Sequence, residues 1–273
     1  MPTLREIALQ GLSHMQESGQ LRVAVDEEAR GILRGWMLAK KKGTTSPLPP
    51  QTKPHPRQEA ASTTMQSVEE KLAYLRERAA HWKAAKALGT LRETMVFATG
   101  NPRARLMLVG EAPGYDEERL QEPFVGKAGQ KLNQILGAMG LNREEIYISN
   151  VCKFRPAMGE NQGTANRAPS EEEIAACLPI ILAEIRAIQP LCIVCLGGSS
   201  AKGLLGSTAS VSNLRGNWHE CQGIPVRVTY HPSYLLRNES MAAKRAVWED
   251  MLHVMEHLQL PISNKQRRYF LPR

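Results

Sequence analysis

At a typical ~150 residues per domain, 273 residues predict about two domains, or one large domain with appendages. A composition of 42% hydrophobic and 23% charged residues excludes wholesale disorder and a collagen-like or coiled-coil rod, and five Cys are too few for a disulfide scaffold. The net charge of +8 resides in basic arms: seven bases and no acid lie between Ala29 and Gln58, four more bases follow Glu256, and the remaining body is slightly acidic.

Such arms suit a polyanion through counterion release, or simply keep the chain in solution. No run approaches the ~18 apolar residues of a membrane span, and the start lacks the basic and apolar regions of a signal peptide. A cytoplasmic protein with no membrane contact is expected.

Residues 1–40 have helix-compatible spacing on both sides of a turn near Gly19, which predicts a helical hairpin. Residues 41–65, rich in Pro, Thr, Ser and Lys, predict a flexible basic linker. Residues 66–260 read as one domain and 261–273 as a basic tail. Within the domain an amphipathic helix is predicted over 67–88. Strands are then predicted over 105–109, 146–149, 191–196 and 226–229. Helices are predicted over 127–139, 170–188, after Gly198, and over 241–258, with Ser170 and Glu173 as a capping box. Strands spaced by helices predict an α/β fold, a three-layer α/β/α sandwich on a mostly parallel sheet. In such sheets ligands bind beyond the carboxyl ends of the strands.

Three motifs fail on inspection. His253, Glu256 and His257 resemble an inverted zinc-protease pattern but have no third ligand in sight. Gly197 to Lys202 lacks the Gly and Ser/Thr of a phosphate loop, although Gly197 and Ser199 could still receive a backbone phosphate at a helix start. Cys192 and Cys195 lie inside an apolar strand, where packing is the simpler role.

The loops after the predicted strands carry the chemistry. The first holds Gly110-Glu111-Ala112-Pro113-Gly114 with Glu117, then Pro123-Phe124-Val125-Gly126-Lys127-Ala128-Gly129; the second opens with Asn150; the last reads His231-Pro232-Ser233-Tyr234-Leu235-Leu236-Arg237. With these motifs at these spacings, residues 83–258 resemble the uracil-DNA glycosylase superfamily, in its family-four branch. The resemblance implies an enzyme that flips a pyrimidine out of DNA and hydrolyses its N-glycosidic bond. On it Glu111 would position water or stabilise a cationic sugar, with Glu117 the second acid of the loop. Phe124 would stack on the base, Asn150 would read its Watson-Crick edge, and His231 would support the leaving base. Gly114 would leave room at pyrimidine C5. Tyr234-Leu235-Leu236 would wedge the vacated stack, and Ser233, Arg237 and Lys127 would contact DNA.

The family's four-iron cluster uses four Cys. Here the corresponding positions are Lys83, Lys86, Phe154 and Cys177, with Cys152 nearby. No cluster, metal or other cofactor is therefore expected, and packing around Phe154 is expected to pin the long segment Ala157 to Arg167. The expected partner is DNA, bound by a monomer. Uracil is the favoured base. Two alternatives stay open: excision of a modified cytosine from viral DNA as defence, and a catalytically weak DNA-binding protein on the same fold.

Overall fold

A computed structural model describes residues 67–159 and 161–271; the predicted hairpin and linker lie outside them. The chain order is α1 (Val68–Ala80), α2 (Lys83–Lys86), β1 (Leu91–Met95), β2 (Ala98–Gly100), β3 (Leu106–Gly110), α3 (Tyr115–Leu120), α4 (Lys127–Met139), β4 (Tyr147–Asn150) and β5 (Phe154–Pro156). It continues with α5 (Glu171–Ile188), β6 (Cys192–Leu196), α6 (Gly198–Leu205), α7 (Val211–Leu214), β7 (Trp218–Cys221), β8 (Ile224–Thr229), α8 (Pro232–Arg237), α9 (Met241–His257) and α10 (Asn264–Arg267). The expected α/β sandwich is present. Six strands lie in the order β2-β4-β3-β6-β8-β7, with β4, β3, β6 and β8 parallel and the two edge strands antiparallel.

The four parallel strands are buried on both faces, so they read as near-continuous apolar runs. Period-2 geometry sends Leu106 and Leu108 to one face and Met107 and Val109 to the other. The first pair packs with Leu132 and Leu136 of α4 and Trp248 and Met251 of α9. The second packs with Ile181 and Ile185 of α5 and Ala201 and Leu204 of α6. The same alternation sends Cys192 and Cys195 to opposite faces of the sheet, so the two thiols cannot act as a pair. The zinc-like residues sit at the surface. His257 packs its ring 4.8 Å from that of Trp218, and among the described residues no three His, Cys, Asp or Glu side chains form a metal-ligand group.

Two buried ion networks fasten the strands that carry the site. Asp250 of α9, 1% exposed, accepts from Thr229 Oγ1 at 2.8 Å and pairs with Arg227 and Arg215, tying the end of β8 to α9. Beneath β4, the fully buried Lys153 and Glu184 stand 2.5 Å apart, and Lys153 Nζ also donates to the Asn150 carbonyl at 2.9 Å.

The predicted basic tail is not free. Trp248 Nε1 donates to the Gln266 carbonyl at 2.6 Å, Gln266 Nε2 to the Ala138 carbonyl at 2.9 Å, and Arg245 to the carbonyls of Arg267 and Tyr269. The few apolar groups of this segment suffice because its backbone oxygens find donors already fixed on α9. Among the described residues no helix is long and apolar enough to cross a membrane.

Candidate active site

The carboxyl ends of the parallel strands set the site. From β3 the chain turns to β4 on one side and later to β6 on the other, which makes β3 the switch point where a crevice opens. Gly110 is opposite Asn150 in the β3–β4 register. The ladder continues past the strand ends through Val151 N–H to the Gly110 carbonyl and Cys152 N–H to the Glu111 carbonyl, at 3.0 and 2.9 Å. Glu111 and Asn150 are thereby delivered side by side to one rim. His231 follows β8, and the loops after β3, β4 and β8 meet at a cleft of about 370 Å³, near the small end for ligand sites; Gly197, after β6, stands behind His231 and is not among the residues that line it. Glu111, Gly114, Glu117, Phe124, Asn150, His231, Ser233 and Arg237 line it together.

Close approach explains two glycines. A Cβ on Gly110 would lie 2.3 Å from Asn150 Oδ1 and 2.5 Å from the Phe124 ring, so only glycine lets the amide and the aromatic meet over this strand end. Gly197, at φ +100°, caps α6 at a place where a Cβ would come 3.1 Å from the Cβ of His231. Its role is to admit the histidine. Asn150 is 2% exposed, and its Oδ1 is buried without a partner. An orphaned buried acceptor is costly unless a ligand satisfies it.

His231 caps α8. The Ser233 backbone N–H donates to its Nδ1 at 3.2 Å, with Ser233 Oγ 2.8 Å away. An Nδ1 that accepts from a backbone N–H carries no proton, so the neutral ring presents Nε2–H as its donor. Enclosure lowers the pKa below the ordinary 6.5, and Arg237 pushes the same way, against Glu111 and Glu117. In a titration of the imidazole resonances, His231 should therefore protonate below pH 6.5; a midpoint at or above that value would mean a charged resting ring. The unfolded chain binds this proton more readily, so the pair of states also predicts stability falling as pH drops below the unfolded value.

Several expected roles change in three dimensions. The carboxylate of Glu117, the second acid of the loop, accepts from the backbone N–H groups of Gly114, Val125 and Gly126 at 3.1, 3.1 and 2.9 Å, which ties the two halves of the loop together. Ser199 Oγ donates to Glu111 Oε2 at 2.9 Å, so a carboxylate already stands at the start of α6 and a phosphate there would meet like charge. Ser233 is engaged by His231. Leu235 is 5% exposed and packs with Val247 and Ala243; Tyr234 stacks on Tyr230 with centroids 4.5 Å apart. On α8 it is Leu236, 40% exposed, that stands free. Arg237 and Lys127 are exposed.

Asn166 and Arg167 also line the cleft, although they lie outside the motifs above; the adjacent Asn-Arg pair is their only signal in the sequence. They belong to the segment expected to be pinned by packing around Phe154. Phe154 is buried, and hydrogen bonds also hold the segment. Arg155 donates to Asn166 Oδ1, Glu118 Oε2 and the carbonyls of Gly163 and Ala165. Arg167 pairs with the buried Glu173 and reaches the Ala157 carbonyl.

The residues at the cluster positions do not fit a four-iron group. Ala85, between Lys83 and Lys86, packs in the apolar cluster that contains Phe154, Cys152 and Cys177. Of the four positions only Cys177 carries a thiol, with Cys152 packed in the same cluster, and two thiols cannot supply the four thiolates this group needs.

A family model described as the uracil DNA glycosylase superfamily matches residues 97–252. Among curated proteins, a type-4 uracil-DNA glycosylase of Thermotoga maritima is 42% identical over 164 residues, covering 59% of this chain and 81% of that protein. One of Archaeoglobus fulgidus is 39% identical over 149 residues, covering 52% and 71%. A third, of Pyrobaculum aerophilum, is 36% identical over 158 residues, covering 55% and 77%.

Proposed function

The chain belongs to the uracil-DNA glycosylase superfamily, a family of N-glycosyl hydrolases, and from that premise we propose that it removes uracil from DNA and leaves an abasic site. The observation that carries this reading is the orphaned Oδ1 of Asn150 beside the Phe124 ring and the His231 imidazole. A uracil extruded into the cleft stacks on Phe124, donates N3–H to Asn150 Oδ1 and accepts at O4 from Asn150 Nδ2.

As the C1′–N1 bond breaks, its electron pair leaves with the base and the sugar becomes oxocarbenium-like. His231 Nε2–H donates to the developing uracil anion. Glu111, anchored by Ser199, offsets the cationic sugar and orients the water that attacks C1′. Each group acts where charge develops, which is where preorganised dipoles and charges lower a barrier most. Leu236 is the side chain placed to fill the gap left in the stack, with Arg237 and Lys127 on phosphates.

The experiment is single-turnover incubation with duplexes carrying uracil, a 5-substituted cytosine or only normal bases, scored as alkali-labile sites. Uracil-dependent cleavage is expected; cleavage confined to modified cytosine would move the substrate, and none at all would favour a binding protein. Asn150→Asp should reduce uracil release more than DNA affinity, because an ionised carboxylate has no donor for O4 and instead suits a cytosine amino group. Equal loss on every base would leave Asn150 with no part in base selection.

A further inference from the structure

We propose that Arg143 is a positioning residue that sets the Phe124 ring for base stacking by clamping the Phe124 backbone in a left-handed conformation. The inference rests on the reading of Phe124 as the stacking platform, and Arg143 itself lies outside the cleft and outside every motif described above.

Phe124 is buried at φ +56°, a region that L-residues with large side chains avoid. Arg143 Nη1 donates to the Phe124 carbonyl at 3.0 Å, and Nη2 donates to the Pro123 carbonyl at 2.8 Å and to Glu122 Oε1 at 3.1 Å. Nη1 also donates to Asn133 Oδ1 at 3.2 Å. One planar guanidinium thus holds two successive carbonyls and is itself held by α4, a geometry that a lysine ammonium cannot reproduce.

Two glycines show that the surroundings are built for this conformation. A Cβ on Gly129 would fall 1.8 Å from the Phe124 carbonyl oxygen, so the left-handed turn is possible only over a bare backbone. On the clamp's own side, a Cβ on Gly100 would come 2.9 Å from the Arg143 carbonyl and 1.9 Å from that of Ile146. The end of β2 therefore seats the turn that carries Arg143. Thr99 Oγ1 donates to Glu122 Oε1 at 3.2 Å, fixing the clamp's acidic partner as well. Without the guanidinium, the strained residue is free to relax toward an ordinary backbone and to swing its ring off the base.

The test is a double-mutant cycle in the full chain with Arg143→Met and Phe124→Ala, read as single-turnover uracil release, with inhibition by free uracil and binding of an uncleavable abasic duplex measured alongside. Arg143→Met should slow release about tenfold and weaken inhibition by free uracil, while abasic-duplex binding stays within a few fold. In the Phe124→Ala background the Arg143→Met loss should largely vanish. Arg143→Lys should fall between wild type and Arg143→Met, and methylguanidinium should partly restore Arg143→Ala; these two measurements decide the matter if Arg143→Met folds poorly. Losses that multiply in the double variant, or unchanged inhibition by free uracil, would overturn the proposal. If Phe124→Ala alone leaves release unchanged, it is the stacking role of Phe124 that fails, a separate outcome.

Discussion

Single-turnover base release should fall about a hundredfold or more in Glu111→Ala and in His231→Ala, with DNA affinity retained. A preorganised donor or charge aimed at a transition state is worth roughly 3 to 4 kcal/mol. The two residues face opposite charges of one reaction, the cationic sugar and the anionic base, and neither charge exists in the ground-state complex. Because the Glu117 carboxylate already serves three backbone N–H groups, it cannot replace Glu111, and the two losses should be of similar size. Ser199→Ala, which removes the hydroxyl donor to Glu111 Oε2, should give a smaller loss of the same kind. Affinity for an abasic analogue should stay within a few fold, since Leu236 and the surface bases remain. Near-normal release by both alanine variants would place the chemistry elsewhere.

The largest effect on stability is expected at Lys153. Its ammonium and the Glu184 carboxylate are fully buried 2.5 Å apart, with Tyr147 and Ser149 hydroxyls donating to Glu184 Oε2 at 3.0 and 2.9 Å. Lys153→Met leaves that carboxylate without its counter-charge, and breaking a buried pair from one side costs about 3 to 5 kcal/mol. Burial pushes the Glu184 pKa up and Lys153 opposes it; without Lys153 the carboxyl protonates in the folded state. A folded acid with a raised pKa binds more protons than the unfolded one, so the variant's deficit should grow as pH rises above the ordinary carboxylate range. Denaturant melts at pH 5 and pH 8 check both size and sign. The double variant Lys153→Met with Glu184→Leu should recover much of the loss, because apolar replacement of a whole buried pair is often near neutral. A Lys153→Met protein as stable as wild type, or a deficit that shrinks with pH, would show that Glu184 is not charged in the native fold.

Much of this molecule was legible without coordinates. The helix Lys127–Met139 and the capped start of Glu171–Ile188 are written in apolar period and in Ser170 with Glu173. The central strands are written in short apolar runs, because a parallel sheet buried on both faces leaves no polar face to interrupt them. The short strands β1, β2, β5 and β7 carry no usable period in three to five residues, with burial mixed in β1, β2 and β7 and complete in β5. The Gln222-Gly223 turn, with both residues at positive φ, was the overlooked sign of the β7–β8 hairpin.

At the site, the gathering of Glu111, Phe124, Asn150 and His231 at one cleft was legible, because loops at strand ends in a parallel sheet share one rim; the roles expected of them come from the family resemblance. Which polar atoms remain free followed only from the tertiary structure. Glu117 and Ser199 look in sequence like open functional groups, yet one is consumed by backbone donors and the other by Glu111. The Leu235 and Leu236 side chains look alike, yet helix geometry buries one and exposes the other. Nothing in the chain near Phe124 announces Arg143, nineteen positions away. Sequence patterns report what repeats along one element, such as period, caps and spacing. Hydrogen-bond saturation and clamping depend on which distant elements fold against each other, and those contacts leave no periodic trace in a single chain.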